Sequence, residues 1–175
     1  VADIFIKNLE TGLTELASLG ALGNSLSRGS ENPMLSADGR YVLFQSIAPD
    51  ALPDDTNGCM DIFLRDRETG SVECVSLGDF GQLANADSTA VAMTPDAHCI
   101  LFLTHASNLG MFDTNQFPDL YLRDRLRDRL ELISGRSGFE TANGPAIAGS
   151  LSDDGRYVAF RVDADDLLPG STEHV

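Results

Sequence analysis

The chain has 175 residues, a formal net charge of −15 and one lysine, Lys7. That balance argues against nucleic acid and anionic membrane surfaces, which need positive charge at the contact, and favours solubility and the attraction of cations or basic partners. No run of about eighteen apolar residues is present to cross a membrane.

In chain order, residues 3–8 open with Asp3-Ile4-Phe5 and read as a strand, followed by the tight link Glu10-Thr11-Gly12. Next comes Ser36-Ala37-Asp38-Gly39-Arg40-Tyr41-Val42-Leu43-Phe44, in which Asp38-Gly39 is a hairpin-turn dipeptide. After a long link, residues 46–60, Asp61-Ile62-Phe63 repeats the opening motif and starts a strand over 61–66. Glu68-Thr69-Gly70 then leads into a strand over 71–76. A second long link, 77–88, precedes strands over 90–94 and 99–104. Asp119-Leu120-Tyr121 opens the third copy, and Ser152-Asp153-Asp154-Gly155-Arg156-Tyr157-Val158-Ala159-Phe160 leads into a last strand over 156–162.

Each run is short, apolar, rich in β-branched or aromatic residues, and bounded by Gly, Pro, Asn or Asp, which is the strand signature. No segment keeps a 3.6 period for long enough to make a helix. Residues 123–129 resemble a helical turn, but their repeat equivalents are a strand pair joined by a turn.

Asp3, Asp61 and Asp119 are each 58 residues apart, and so are Ser36, Thr94 and Ser152. A fixed period means one supersecondary unit copied and stacked. Labelled a, b, c and d, its four strands place the tight a–b and c–d turns at one end and the long b–c and d–a loops at the other. Binding groups concentrate on such loops. A four-stranded unit repeated around an axis is a propeller blade. Consecutive apolar residues such as Val42, Leu43 and Phe44 fit a strand buried on both faces. Cys74 aligns with Leu16 and Leu132, a core position.

The expected fold is therefore an all-β propeller with three four-stranded blades per chain, two complete and one split between the termini. It forms a single repeat domain over 1–175, with residues 1–37 leading, units at 38–95 and 96–153, and a partial unit at 154–175. The order c-d, a-b-c-d, a-b-c-d, a-b leaves complementary halves at the two ends. Three blades are fewer than the roughly four to eight that close a propeller, and open edges invite pairing. A homodimer of six blades, strand b of one chain against strand c of its mate, resolves this. The alternative is a fragment whose other blades lie on the same original chain. The start at Val1 fits a processed protein or an excised piece.

Two copies depart from the pattern. Ala97 replaces the turn glycine of Gly39 and Gly155, which predicts a different turn there. Asp128 stands where Gly12 and Gly70 stand, and Asp tolerates the left-handed region better than most residues.

The motif Ser-x-Asp-Gly-Arg-Tyr-Val-x-Phe, followed by Asp-Ile-Phe-x-Arg-Asp-Arg-x-Thr-Gly, resembles the WD40-like repeat of TolB-type β-propellers. The loop Ala48-Pro49-Asp50-Ala51-Leu52-Pro53-Asp54-Asp55-Thr56-Asn57-Gly58 looks like the linker of its secreted bacterial members. The resemblance covers the whole chain. It implies a scaffold and leans towards a periplasmic or secreted location; the family includes partner-binding propellers, domains attached to peptidases, and relatives acting on sugars. Fold alone does not choose among these.

Several candidate chemistries arise from the residues themselves. Asp55-x-Asn57-x-x-x-Asp61 recurs as Asp113-x-Asn115-x-x-x-Asp119, and alternating oxygen ligands in a loop can hold calcium. The spacing partly matches an EF-hand start, but Met60 and Pro118 occupy the glycine position and the closing Glu is absent. The competing reading is structural: Asp and Asn organise turns by bonding nearby backbone. The third copy has Ser171-Thr172-Glu173, without the first Asp. His98, His105 and His174 have no partner at ligand or triad spacing, and His98 reads as a turn-end surface residue in place of Arg40 and Arg156. Gly135-Arg136-Ser137-Gly138-Phe139 misses the nucleophile-elbow pattern, and no zinc spacing is present. Cys59, Cys74 and Cys99 suggest no disulfide framework. Arg65-Asp66-Arg67 and Arg123-Asp124-Arg125 read as a solvated outer strand.

Function then divides between two classes. One is a non-catalytic scaffold that binds a protein or peptide on its long-loop face through Asn24, Gln82, Asn85, Glu140 and Asn143. The other is an enzyme or enzyme-associated propeller acting on oligosaccharide or peptide. It needs convergent acid, base or metal groups, and no such set is visible, so the scaffold is preferred. A half-propeller fragment without its own activity is the third possibility.

Overall fold

A computed structural model describes residues 1–110, 113, 115–136 and 140–168. The sequence features at Ser137, Gly138 and Phe139, at Ser171-Thr172-Glu173, and at His174 and Val175 lie outside the described residues. Twelve strands are present among those described, and no helix. They are β1 (Phe5–Lys7), β2 (Thr14–Leu16), β3 (Ser30–Leu35), β4 (Tyr41–Ser46), β5 (Asp61–Asp66), β6 (Val72–Cys74), β7 (Ser88–Met93), β8 (Cys99–Thr104), β9 (Asp119–Asp124), β10 (Arg129–Leu132), β11 (Ala146–Leu151) and β12 (Val158–Val162). Among the described residues no helix is long and apolar enough to cross a membrane.

The strands form a pair β1-β2, two full sheets β3-β4-β5-β6 and β7-β8-β9-β10, and a pair β11-β12. All pairings are antiparallel. This is the order c-d, a-b-c-d, a-b-c-d, a-b read from the repeat. The register repeats as well: Phe44 faces Phe63 in the first full sheet, and Phe102 faces Tyr121 in the second. Each a–b pair carries a bulge, between Glu31 and Met34 and between Ala90 and Ala92 at matching repeat positions, and between Ala146 and Ala148 two residues earlier in the third copy.

The core lies between sheets. Successive strand residues point to opposite faces. Val42 and Phe44 pack with Ile4, Ala17 and Leu26 of the preceding copy. Leu43, between them, packs with Ile100 and Phe102 of the following one. A third cluster joins Leu101, Leu120 and Leu122 to Ala146, with Phe160 against it. Burial on both faces of strand b is thus a stacking effect, and Cys74 is buried as its repeat position predicts.

Both tight turns are built by repeated side-chain bonds. At the a–b turns, Ser36, Thr94 and Ser152 donate their hydroxyls to Asp38, Asp96 and Asp154 at 2.6–2.7 Å. Those carboxylates accept the backbone N–H of Arg40, His98 and Arg156. Ala97 does not change this turn. Its φ of 55° matches the left-handed Gly39 at 72°, and its N–H bonds Thr94 O at 2.8 Å as Gly39 N–H bonds Ser36 O at 2.9 Å. The hydroxyl–carboxylate frame holds the conformation even with a Cβ present. At the c–d turns, Asn8, Asp66 and Asp124 each accept two backbone N–H groups through one oxygen. Asp128 there takes φ 48°, the place of Gly12 and Gly70.

The arginine strip is not a solvated outer strand. β5 and β9 each have a strand on both sides, so neither is an edge. Arg123 is 7% exposed and donates to the carbonyls of Val75 and Leu77 in the preceding sheet. Arg67 reaches back to Glu15 at 2.7 Å, and Arg125 to Glu73 at 2.5 Å. These residues bracket one sheet to the one before it.

Candidate functional site

The long loops at one end are folded structures. Each d–a loop closes a small antiparallel bridge, Leu19–Ser25, Leu77–Leu83 and Gly135–Thr141. At its base, the N–H of Gly20, Gly78 and Arg136 bonds the carbonyl of Asn24, Gln82 and Glu140, respectively, at 2.7–2.9 Å. Three of the residues proposed from sequence for partner contact thus share one backbone position in successive copies.

The side chains of Asn24 and Gln82, with those of Asn85 and Asn143, tie the d–a loop to the b–c loop of the next sheet. The Asn24 amide donates to Asp50 at 3.2 Å. The Gln82 amide donates to Asn108 O at 2.9 Å. Asn85 and Ser107 bond reciprocally, and Asn143 and Asp165 do the same. Glu140 lies 3.9 Å from Arg136, which pairs more closely with Asp166 at 3.2 Å. Sequence inspection missed the centre of this clasp. Asp50, Asn108 and Asp166 each accept the backbone N–H of Ser27, Asn85 and Asn143, respectively, at 3.0–3.1 Å. Their spacing of 58 was the available signal.

Charge is unevenly placed. The loops at this end carry Asp50, Asp54, Asp55, Asp79, Asp87, Asp113, Glu140, Asp163, Asp165 and Asp166, against only Arg28 and Arg136. The tight-turn end carries Arg40, Arg67, Arg125, Arg127 and Arg156 among nine acids, Glu10, Asp38, Asp66, Glu68, Asp96, Asp124, Asp128, Asp153 and Asp154. The long-loop end is therefore the more acidic end, because its carboxylates are less compensated by arginine.

The Asp-x-Asn loops run into the start of strand c. Asn57 donates its amide to Asp61 at 2.6 Å and to Ala84 O at 2.9 Å, while its oxygen accepts the Cys59 N–H. Asn115 repeats this with Asp119 at 3.4 Å, Ala142 O at 2.7 Å and the Phe117 N–H. Ser76 and Ser134 donate hydroxyls to Asp61 at 2.6 Å and Asp119 at 2.8 Å. Both carboxylates are fully buried. Burial lifts the Asp119 carboxyl to about 6. Burial, then the charge of Asp61, lifts Asp55 to about 6 as well. Asp61 and Asp113 are raised by burial. As they stand, these six residues form two hydrogen-bonded carboxylate networks with amide hydrogens aimed at strand c.

His98 differs from its sequence expectation. It is half-buried, and its Nε2 lies 3.1 Å from Asp124 Oδ1, where Arg40 in the previous copy pairs with Asp66 at 2.6 Å. The partner is a strand away, which spacing along the chain could not reveal.

No protein-family model matches the chain, and no curated protein sequence matches it. Its fold is similar to that in the crystal structure of TolB from Acinetobacter baumannii, with a TM-score of 0.51 and 22% identity, over 90% of this chain and 31% of that one. It is also similar to the tricorn protease, with a TM-score of 0.57 and 12% identity, over 88% of this chain and 12% of that one. At such identities the likeness establishes the β-propeller fold alone. The chain spans less than a third of the length of either protein.

Proposed function

We propose that this chain is a non-catalytic β-propeller scaffold of the WD40-like, TolB type that takes a basic protein or peptide on its long-loop end. The observation that carries this is the uncompensated charge of the long loops: ten acidic residues against two arginines, on loops clasped to one another. A rigid acidic surface raises the local concentration of basic partners and speeds their encounter, and pre-ordered loops lose less entropy on binding. Periplasmic or secreted residence accompanies this reading through the family resemblance. The alternative, an enzyme-associated propeller acting on peptide or oligosaccharide, would require turnover of its own or of an attached domain.

Selection of peptides on the intact chain, followed by calorimetry, tests the scaffold reading. Selected peptides should be basic, bind more weakly as salt rises, and lose affinity to an Asp54→Lys/Glu140→Lys variant. Selection of neutral or acidic peptides, or affinity unchanged in that variant, would reject it. Hydrolysis of a peptide or glycan that survives repurification would favour the enzyme.

We further propose that the partners include a second copy of the chain. Among the described residues the β1 and β12 edges have no neighbouring strand, and continuing the repeat register sets Ala159 opposite Ile6 as Leu43 faces Leu64. Further repeats on the same polypeptide would satisfy the edges equally, and solution mass separates the two.

A further inference from the structure

We propose that His98, Cys99 and Asp124 form a site for a zinc-class divalent cation. The three side chains come from two neighbouring strands of the second full sheet and from the turn before one of them. β8 begins at Cys99, immediately after His98, and β9 ends at Asp124, paired with Cys99 across the sheet. One ligand atom from each, imidazole nitrogen, thiol sulfur and carboxylate oxygen, lies within 4.8 Å of the other two.

The repeat makes this grouping unusual. The neighbouring copies carry Arg40-Tyr41 and Arg156-Tyr157 at these positions, with Asp66 in the place of Asp124. In the first full sheet the Arg40 guanidinium supplies positive charge to Asp66. In the second, two adjacent residues have both changed to metal-ligand types while the aspartate remains. Arg127 already brings one positive charge to Asp124 in the place of Arg40, and a bound dication would add to it on the His98 side. Arg127 bonds Asp124 Oδ2 at 2.5 Å and leaves Oδ1 on the side of His98. That oxygen also caps the turn through the N–H groups of Leu126 and Arg127, which fixes its position.

The geometry is close to what zinc needs. Bonds of about 2.0–2.2 Å to nitrogen and oxygen and about 2.3 Å to sulfur give tetrahedral edges of about 3.3–3.6 Å. His98 Nε2 and Asp124 Oδ1 are already 3.1 Å apart. With Nε2 on the metal, Nδ1–H faces Asp96 Oδ2 at 4.0 Å, the kind of outer carboxylate that orients a ligating histidine. Cys99 is 5% exposed, so the sulfur is sheltered. A cavity of about 300 Å³ opens on all three groups, with Glu131 and Asp154 and the arginines Arg127, Arg129 and Arg156 also on its wall. A fourth ligand, water or a small molecule, would have to come from this cavity. A nitrogen, sulfur and oxygen set suits zinc and disfavours calcium or magnesium, which take oxygen.

Cobalt(II) titration of the intact, reduced chain tests the site, because a cobalt–thiolate bond absorbs in the near ultraviolet. One equivalent should saturate the band, and zinc should abolish it while calcium leaves it. Zinc should also raise the thermal midpoint. Cys99→Ser should lose the band, His98→Ala should weaken binding by about ten-fold or more, and Cys59→Ser should behave as the parent. The double variant His98→Arg/Cys99→Tyr, which carries the residues of the flanking copies, should fold and bind no cobalt. Absence of a thiolate band in the parent, or its persistence in Cys99→Ser, would overturn the assignment.

Discussion

Phe5 and Phe160 stand at opposite ends of the strand order, at the repeat positions where Phe63 and Phe44 lie with ring centroids 5.9 Å apart. Phe63 and Phe44 are fully buried, whereas Phe5 is 61% exposed. Joining strand β12 of one copy to β1 of another would complete the missing aromatic pair. Light scattering should therefore give twice 18.7 kDa, and Phe5→Asp should give a folded particle of one chain mass. Cysteines placed by Ile6→Cys and Ala159→Cys should cross-link between chains. A folded, cooperative parent of one chain mass would reject the dimer.

The loop clasp has a measurable cost of removal. Asn108 accepts the Asn85 N–H and donates to Leu83 O. Asn108→Ala removes both bonds and should destabilise the chain by about 1–3 kcal/mol. Amide exchange should accelerate at Asn85. Unchanged exchange there would mean that the clasp does not hold the loop.

Stability should fall as pH rises through the acidic range. Asp55 and Asp119 titrate at about 6 when folded, above the usual carboxylate range. The folded chain thus holds protons that the unfolded chain releases between about pH 4 and 6, and stability declines with pH across that window. Each group contributes about 2–3 kcal/mol to that slope. Asp66 runs the other way: Arg40 holds its carboxyl well below the usual range, so its contribution is present above about pH 4 and is lost only in stronger acid. Asp55→Asn should flatten the decline and stabilise the chain at neutral pH. A melting midpoint that climbs from pH 4.5 to 7 in the parent, to about the same extent in the variant, would contradict this.

Calcium offers a separate check on the same loops. The Asn57 and Asn115 amides point hydrogens at Asp61 and Asp119, so calorimetry should detect no saturable micromolar calcium site. A site abolished by Asp55→Ala would show that these loops are cation cages instead.

The strand order and the end-to-end asymmetry of loops were legible because a period of 58 repeats every strand with its turns. Burial of strand b followed from three consecutive apolar residues, since neighbouring sheets cover both faces. Ala97 was misleading because residue preference alone favours glycine at φ 55°, while the Thr94–Asp96 bond that secures the turn acts through space. Arg123 was misread for a similar reason. Its partners are backbone carbonyls of Val75 and Leu77, which carry no sequence signature. His98 and Asp124 meet across a sheet at 26 residues' separation, beyond any local motif. Asp50, Asn108 and Asp166 look like ordinary polar loop residues until they are aligned by the repeat.

The arginine brackets have a direction. Arg67 reaches back to Glu15 and Arg125 to Glu73, so the stack has a head and a tail and can be extended only head to tail. Glu131 is the next acid in the series, and Leu9 holds the position that Arg67 and Arg125 hold elsewhere. A seam between two copies would therefore lack the charged latch of the interior sheets and depend on apolar contact and on the β12–β1 strand pairing. It would be the ring's weakest joint, parting before either four-stranded sheet within a chain unravels and little affected by salt.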